Sequence, residues 1–186
     1  MRIIGGEAKG RRLKAPDTAG TRPATDRVRE AVFSTIGSWV VDAAVADLYA
    51  GSGSFGLEAL SRGASSVVFV ESGRKALAAL EANVEAVGLG GTIVAGTVED
   101  FIEASRESFH LVFMDPPWDQ PAEEMSRVLA ELDKLVVPDG EIVVSRRHGD
   151  DLPHVPKTWR VATDKRYGDT RILRYEKTDD QVPPQR

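Results

Sequence analysis

The segment Asp47-Leu48-Tyr49-Ala50-Gly51-Ser52-Gly53-Ser54-Phe55-Gly56 limits what this chain can fold into more than any other. An apolar run over residues 43–46 precedes it, and Leu57-Glu58-Ala59-Leu60 opens a helix after it. The order is strand, glycine turn, helix. Gly51 tolerates φ > 0, Gly53 admits a ligand against bare backbone, and Gly56 lets the helix pack closely on the strand. Free N–H groups at the helix start favour an anion in the turn. Glu71, 20 residues after Gly51, ends the run Val67-Val68-Phe69-Val70 and is placed to hold both hydroxyls of a ribose. Asp47, Gly51, Ser52, Gly53 and Glu71 therefore form a candidate nucleoside-cofactor site. A glycine turn without a ligand is the plainer reading. The preceding strand, the following helix and the spaced acid weigh against it.

The rest of the chain fits this start. Strands are expected over residues 44–50, 66–71, 92–95, 109–114 and 141–145, with helices at 54–62, 73–87, 98–105 and 122–135 between them. Such alternation predicts a doubly wound, mostly parallel α/β sheet. Residues 159–162 and 170–175 look like two strands joined through Gly168, an antiparallel edge pair that brings the sheet to seven strands. Pro138-Asp139-Gly140 reads as a turn. Ahead of the first strand, Thr25 caps a helix whose apolar residues Val28, Ala31, Val32 and Trp39 recur at helical spacing.

Charge is unevenly spread. The net charge is −5, but residues 1–29 hold eight Lys/Arg against three acids, and the remainder nets −10. Gly5-Gly6, between short extended pieces, predicts a hairpin in this basic arm. Phosphate-gripping arm and frayed, solvated terminus are equal readings at this level. The absence of cysteine excludes disulfides and thiolate metal sites, and His110, His148 and His154 lack ligand-pair spacing, so no metal is expected. No apolar run nears the roughly 20 residues of a membrane span, and the N-terminus lacks an apolar signal core. A cytoplasmic, monomeric protein is expected, divided into a basic arm over residues 1–20, a catalytic domain over 21–177 and a disordered tail over 178–186.

Asp115-Pro116-Pro117-Trp118 is the sharper chemical clue. It falls where the fourth strand ends, on the sheet edge that carries the glycine turn. Two prolines fix φ twice and remove two N–H donors, so the Asp115 and Pro116 carbonyls can point outward as rigid acceptors. Asp115 adds a carboxylate and Trp118 a stacking face. The set suits a flat ring that bears an amino group. A proline turn with Trp118 packed in a core is the plainer alternative.

These residues resemble the [Asn/Asp]-Pro-Pro-aromatic motif of S-adenosylmethionine-dependent methyltransferases that act on exocyclic amino groups. Arg2-Ile3-Ile4-Gly5-Gly6, Gly10-Arg11, Arg22-Pro23-x-Thr25-Asp26-Arg27-Val28-Arg29-Glu30 and Gly51-Ser52-Gly53-x-x-Gly56-Leu57-Glu58-Ala59-Leu60-Ser61-Arg62-Gly63 resemble the RsmD family more narrowly. That family methylates N2 of a guanine in 16S ribosomal RNA. The resemblance runs from Arg2 to about Tyr175. It implies a Rossmann-like methyltransferase fold, S-adenosyl-L-methionine as cofactor, and 16S rRNA, in the small subunit or an assembly intermediate, as partner. The catalytic residues would be Asp115, Pro116, Pro117 and Trp118. The RNA contacts would come from Arg2, Lys9, Arg11, Arg12, Lys14, Arg22 and Arg27.

The chain also departs from the family pattern. Ala24 replaces a common Thr. Thr97 replaces an acid near the adenine, which leaves the Val98 N–H as a cofactor contact. Ser145-Arg146-Arg147 stands where an acid is usual. Adenine N6 or a protein glutamine is the alternative acceptor for the same motif. A nicotinamide-dependent oxidoreductase shares the glycine turn but leaves Asp115-Pro116-Pro117-Trp118 unexplained.

Overall fold

The computed structural model describes residues 1–16 and 25–178. Its sheet has seven strands: β1 (Ala44–Leu48), β2 (Ser66–Glu71), β3 (Thr92–Ala95), β4 (Phe109–Met114), β5 (Val136–Arg147), β6 (Trp159–Tyr167) and β7 (Thr170–Lys177). They lie in the order β3-β2-β1-β4-β5-β7-β6. The first five pair in parallel, and β7 pairs antiparallel with both β5 and β6. This is the expected mostly parallel α/β sheet with an antiparallel edge hairpin. The chain runs outward from β1 to β2 and β3, then returns to add β4 on the other side. The sheet therefore has its topological switch between β1 and β4, where open α/β sheets hold ligands.

Among the described residues five helices cover the sheet: α1 (Asp26–Ile36), α2 (Ser54–Ser61), α3 (Arg74–Val87), α4 (Val98–Ala104) and α5 (Ala122–Leu132). Side chains alternate between the two faces of each strand. Val45, Phe69, Leu111 and Phe113 enter one core with α1, α2 and α3, whereas Ala46, Leu48, Val70 and Val112 enter the other with α4 and α5. Phe33 of α1, Phe55 of α2 and Phe113 of β4 pack ring on ring, the last two stacked at 4.9 Å. Arg174 of β7 donates to the Thr35 carbonyl at 2.8 Å and pins α1 to the antiparallel edge.

The arm is docked rather than frayed. Arg2 and Arg12 form an antiparallel bridge, and Ile3, Ala8 and Leu13 are buried in the first core. The reversal spans residues 5–10 rather than Gly5-Gly6 alone. Gly6 serves a different purpose. At φ 75° it passes so close to α2 that a Cβ would sit 1.6 Å from the Ser61 carbonyl oxygen.

Other boundaries differ from expectation. β1 stops at Leu48 because Tyr49 turns to φ 57°. Trp39 is not on α1: Gly37, at φ 62°, ends the helix, and Trp39 lies in a 3-10 turn with 44% of its surface exposed. Pro138-Asp139-Gly140 does not separate helix from strand but lies inside β5, as an irregularity where pairing with β4 shifts register. The helix expected over 122–135 ends at Leu132 and finishes as a 3-10 turn. β6 extends to Tyr167 through Asp164, Lys165 and Arg166, whose charges suit an exposed edge and hide the strand from an apolar pattern.

Candidate active site

β1 and β4 end side by side, with Leu48 opposite Met114. The two sequence motifs therefore leave adjacent strand ends. The Asp115 N–H points to the Leu48 carbonyl at 3.5 Å.

The glycine turn is held from three sides. Asp47, buried on β1, accepts from the Gly56 N–H at 2.8 Å and so satisfies one free donor at the start of α2. Burial pushes its carboxyl well above the usual range against the effect of that hydrogen bond, and the charges of Asp115 and Glu71 add to the rise. Asp47 thus shapes the turn from inside. Glu71 accepts from the Gly51 N–H at 2.8 Å through one oxygen and from the Gly73 N–H at 2.6 Å through the other. It joins the turn to the start of α3 and keeps lone pairs for a ligand. Asn83 of α3 donates to the Ser52 carbonyl at 2.9 Å. Gly53, at φ 77°, caps α2, and a Cβ there would meet Leu80 Cδ1 at 2.5 Å, so glycine is required by conformation and by space.

A cavity of about 410 Å³ opens beside this turn. Tyr49, Glu71, Gly96, Thr97, Val98 and Gln120 contribute to its wall. The Thr97 hydroxyl caps α4 by accepting from the Asp100 N–H at 3.1 Å. Val98 buries its side chain, and its backbone N–H stands at the first helical position, where α-helices leave donors free. A carboxylate at one wall, a helix start at another and apolar surface between them match the groups of an adenosine.

The second motif forms the facing loop. Burial pushes the Asp115 carboxyl up to about 6, against the effect of a hydrogen bond from Ser145 of β5. Pro116 is buried and Pro117 exposed. Trp118 is half-buried and belongs to neither core cluster, so the packed-core alternative does not hold for it. The Gln120 N–H closes the loop onto the Pro117 carbonyl at 3.0 Å. Arg146 of β5, buried, donates to the Gln120 carbonyl at 2.9 Å. The departure at Ser145-Arg146 thus lies directly behind the second motif.

The arm lies along α2 and α3. Glu58, fully buried, accepts from the Ile4 and Gly5 N–H groups at 2.7 and 2.8 Å and from Arg62 at 2.7 Å. Ser61 accepts from the Ala8 N–H and donates to the Gly5 carbonyl. Asn83 accepts from the Lys14 N–H and donates to its carbonyl. Sequence reasoning missed these three fastenings. Their signal was a polar residue inside an otherwise apolar stretch of helix, as Glu58 is between Leu57 and Ala59.

The basic residues divide by partner. Arg11 donates to the Ala86 and Val87 carbonyls, which caps the C-terminal end of α3. Arg2 lies 3.8 Å from Asp26. Lys9, Arg12, Lys14 and Arg27 are exposed. Arg29, which the sequence does not single out for RNA contact, is buried and donates to the Arg2 carbonyl at 2.6 Å. Arg22 and Ala24 lie outside the described residues. No group of side chains suited to a metal ion occurs among the described residues.

Comparison with known proteins bears on this geometry. The profile of the Cons_hypoth95 family, described as conserved hypothetical protein 95, matches residues 1–176. Ribosomal RNA small subunit methyltransferase D of Escherichia coli (strain K12) is 34% identical over 178 residues, 95% of this chain and 90% of the relative. The Bacillus subtilis (strain 168) protein named putative rRNA methyltransferase YlbH is 33% identical over 182 residues, 95% and 99% of the two chains. The solved structure of the putative methyltransferase yhhF from Escherichia coli superposes with a TM-score of 0.84 at 34% identity, covering 96% of this chain and 98% of that one.

Proposed function

The chain belongs to the Cons_hypoth95 family, that of RsmD, and from that membership we propose that it methylates small-subunit ribosomal RNA at the exocyclic N2 of an unpaired or flipped guanine. The cofactor is S-adenosyl-L-methionine. The observation that carries the reading is the pairing of Leu48 with Met114, which sets Asp115-Pro116-Pro117-Trp118 beside the glycine turn at the topological switch. Relatives named as rRNA methyltransferases support the substrate class. The guanine-N2 assignment rests on the RsmD resemblance of the N-terminal segments and the glycine turn.

When bound, the cofactor supplies a methyl group that is already electrophilic on its sulfonium. The protein's task is therefore to place an amine and exclude water. Orientation of this kind is worth up to about 7–11 kcal/mol. Glu71 and the glycine turn would hold the ribose and the backbone of the cofactor, and the Val98 N–H would reach its adenine. On the other side, the Asp115 carboxylate and the Pro116 carbonyl accept the two amine hydrogens of the base. They polarise a nitrogen whose lone pair is otherwise delocalised into the ring. A carboxyl raised to about 6 is ionised near pH 7, yet basic enough to take the proton released on transfer. Trp118 stacks on the extruded base and offsets about 1–3 kcal/mol of its unstacking.

Lys9, Arg12, Lys14 and Arg27 would grip the phosphates around the target, with the arm of residues 1–20 as the RNA-binding piece and residues 21–177 as the catalytic one. No described helix is long and apolar enough to cross a membrane. We place the reaction in the cytoplasm, on the small subunit or an assembly intermediate, with a single copy of the chain sufficient. The test is mass spectrometry of rRNA nucleosides from a strain lacking this gene and from the same strain with it restored. N2-methylguanosine should return with the gene. Its return as N6-methyladenosine, or methylation of a protein glutamine instead, would overturn the guanine assignment.

A further inference from the structure

Three local costs fall on one line of contacts behind the second motif. Tyr49 holds φ at +57°, a left-handed conformation that bulky residues seldom adopt. Gln120 reaches the Tyr49 hydroxyl through Nε2 at 3.1 Å, while its Oε1 is buried without a donor among the described residues. Arg146, 4% exposed, buries a guanidinium whose Nη1 donates to the Gln120 carbonyl and whose Nε has no partner among the described residues. Strained dihedrals and unsatisfied groups persist where the surroundings over-determine them, and they concentrate at functional sites.

The contacts share one mechanical result. Gln120 is fastened by its N–H to Pro117, by its carbonyl to Arg146 and by its side chain to Tyr49. Arg146 is held from behind by the Asp151 carbonyl at 3.5 Å and the Asp150 carboxylate at 3.8 Å. Tyr49 directly follows β1 and lies two residues before Gly51. The 115–120 loop is therefore pinned at its start to the Leu48 carbonyl and at its end to Tyr49, both at the end of one strand. The prolines between remove slack.

We propose that Tyr49, Gln120 and Arg146 are positioning residues that lock the Asp115-Pro116-Pro117-Trp118 loop to the glycine turn. This rests on the reading that the loop presents an amine to a methyl donor held by the turn. Without the lock, the loop swings about Asp115, and a displacement near 1 Å is enough to slow transfer steeply.

The test uses the full chain with Tyr49→Phe, Gln120→Leu and the double variant. Tyr49→Phe keeps the ring and removes only the acceptor. Gln120→Leu keeps both backbone bonds and removes only the amide. Each single variant should slow single-turnover transfer to small-subunit RNA by about 10-fold, and the double variant should be no slower than the slower single one. Both side chains also line the cavity beside the turn, so transfer is measured at saturating S-adenosylmethionine and affinity for S-adenosylhomocysteine is measured separately by calorimetry. Hydrogen exchange of the Trp118, Asp119, Gln120 and Ala122 amides in the cofactor-free protein should quicken in all three. Wild-type exchange and rates in both single variants, or losses that multiply in the double one, would overturn the lock. A wild-type protein inert on small-subunit RNA would instead overturn the functional reading, and the exchange measurement, which needs no substrate, would still decide whether the lock exists.

Discussion

Asn83 donates a hydrogen bond to the Ser52 carbonyl at 2.9 Å from the middle of α3, with its side chain 1% exposed. The same amide group exchanges bonds of 2.8 and 2.9 Å with the backbone of Lys14. One side chain thus joins the end of the arm to the glycine turn. The arm and the glycine turn are parts of one body, so phosphates gripped by the first, as proposed, would be held at a fixed distance from the second.

Asn83→Ala should therefore act on both. It removes three hydrogen bonds and leaves the Lys14 N–H and two carbonyls without partners. The expected loss is on the order of 3 kcal/mol in urea denaturation. Hydrogen exchange should rise at residues 14 and 51–53 together, and S-adenosylhomocysteine should bind more weakly. Faster exchange at only one of the two segments would show that the side chain does not couple them.

Arm function is best tested by charge rather than by deletion. Removing residues 1–14 would strip Ile3, Ala8 and Leu13 from the core and leave Glu58 buried without its two backbone donors. Lys9→Ala, Arg12→Ala and Lys14→Ala together change only exposed side chains. RNA affinity should fall, and the slope of log K against log salt should flatten by about 0.7–0.9 for each phosphate no longer neutralised. The melting temperature should stay close to wild type. Arg11→Ala should do the reverse, lowering stability because the Ala86 and Val87 carbonyls lose the guanidinium, with little change in salt slope. An unchanged slope in the triple variant would remove the arm from RNA binding.

Much of this is legible in the sequence, for identifiable reasons. Strand–helix alternation and the glycine turn are local patterns, and they set the sheet and the position of both motifs. The partners of the buried polar groups are not legible. Nothing in the spacing of Glu58 or Asn83 says that a backbone segment 53 or 69 residues away supplies its hydrogen bonds. Arg11 and Lys9 look alike in a charge count, yet one caps a helix and the other faces solvent. β6 reads short in the sequence because an exposed edge strand carries charges that break the apolar alternation. Ser145-Arg146 reads as a mere departure from the family pattern, since its contacts with Asp115 and Gln120 exist only once β5 lies beside β4.

The Asp115 carboxyl links stability and rate through pH. Its pKa stands at about 6 in the fold against an ordinary 3.8, raised by burial. The folded state therefore holds the proton more tightly than the unfolded chain. The stability this confers is present below pH 4 and is lost as pH rises toward 6. The charge of Asp115 adds to the rise that burial imposes on the Asp47 carboxyl. Asp115→Asn cannot ionise, so its stability relative to wild type should improve from pH 4 to pH 8, by up to about 3 kcal/mol. Transfer by wild type should rise with pH through about 6. The variant should be slower by about 10²–10³ and lack that rise. A wild-type profile flat between pH 5 and 7 in single turnover would remove Asp115 as the group that must be ionised.

Trp118 separates holding the base from doing the chemistry. It is half-buried, outside both cores, and follows two prolines that stiffen the backbone leading to it. Trp118→Ala should leave the fold and S-adenosylhomocysteine affinity near wild type, because the ring contributes to neither core. It should weaken productive RNA binding by about 1–3 kcal/mol, the usual worth of one base on one aromatic ring. Trp118→Phe keeps a ring and should retain most of the activity. The loss in Trp118→Ala should appear in KM for RNA more than in kcat at saturating RNA, since the Asp115 and Pro116 acceptors remain in place once the base is seated. Loss confined to kcat would mean that the indole acts at the transferring methyl instead of on the extruded base. A matching loss of thermal stability in Trp118→Ala would mean that it packs the loop rather than the substrate.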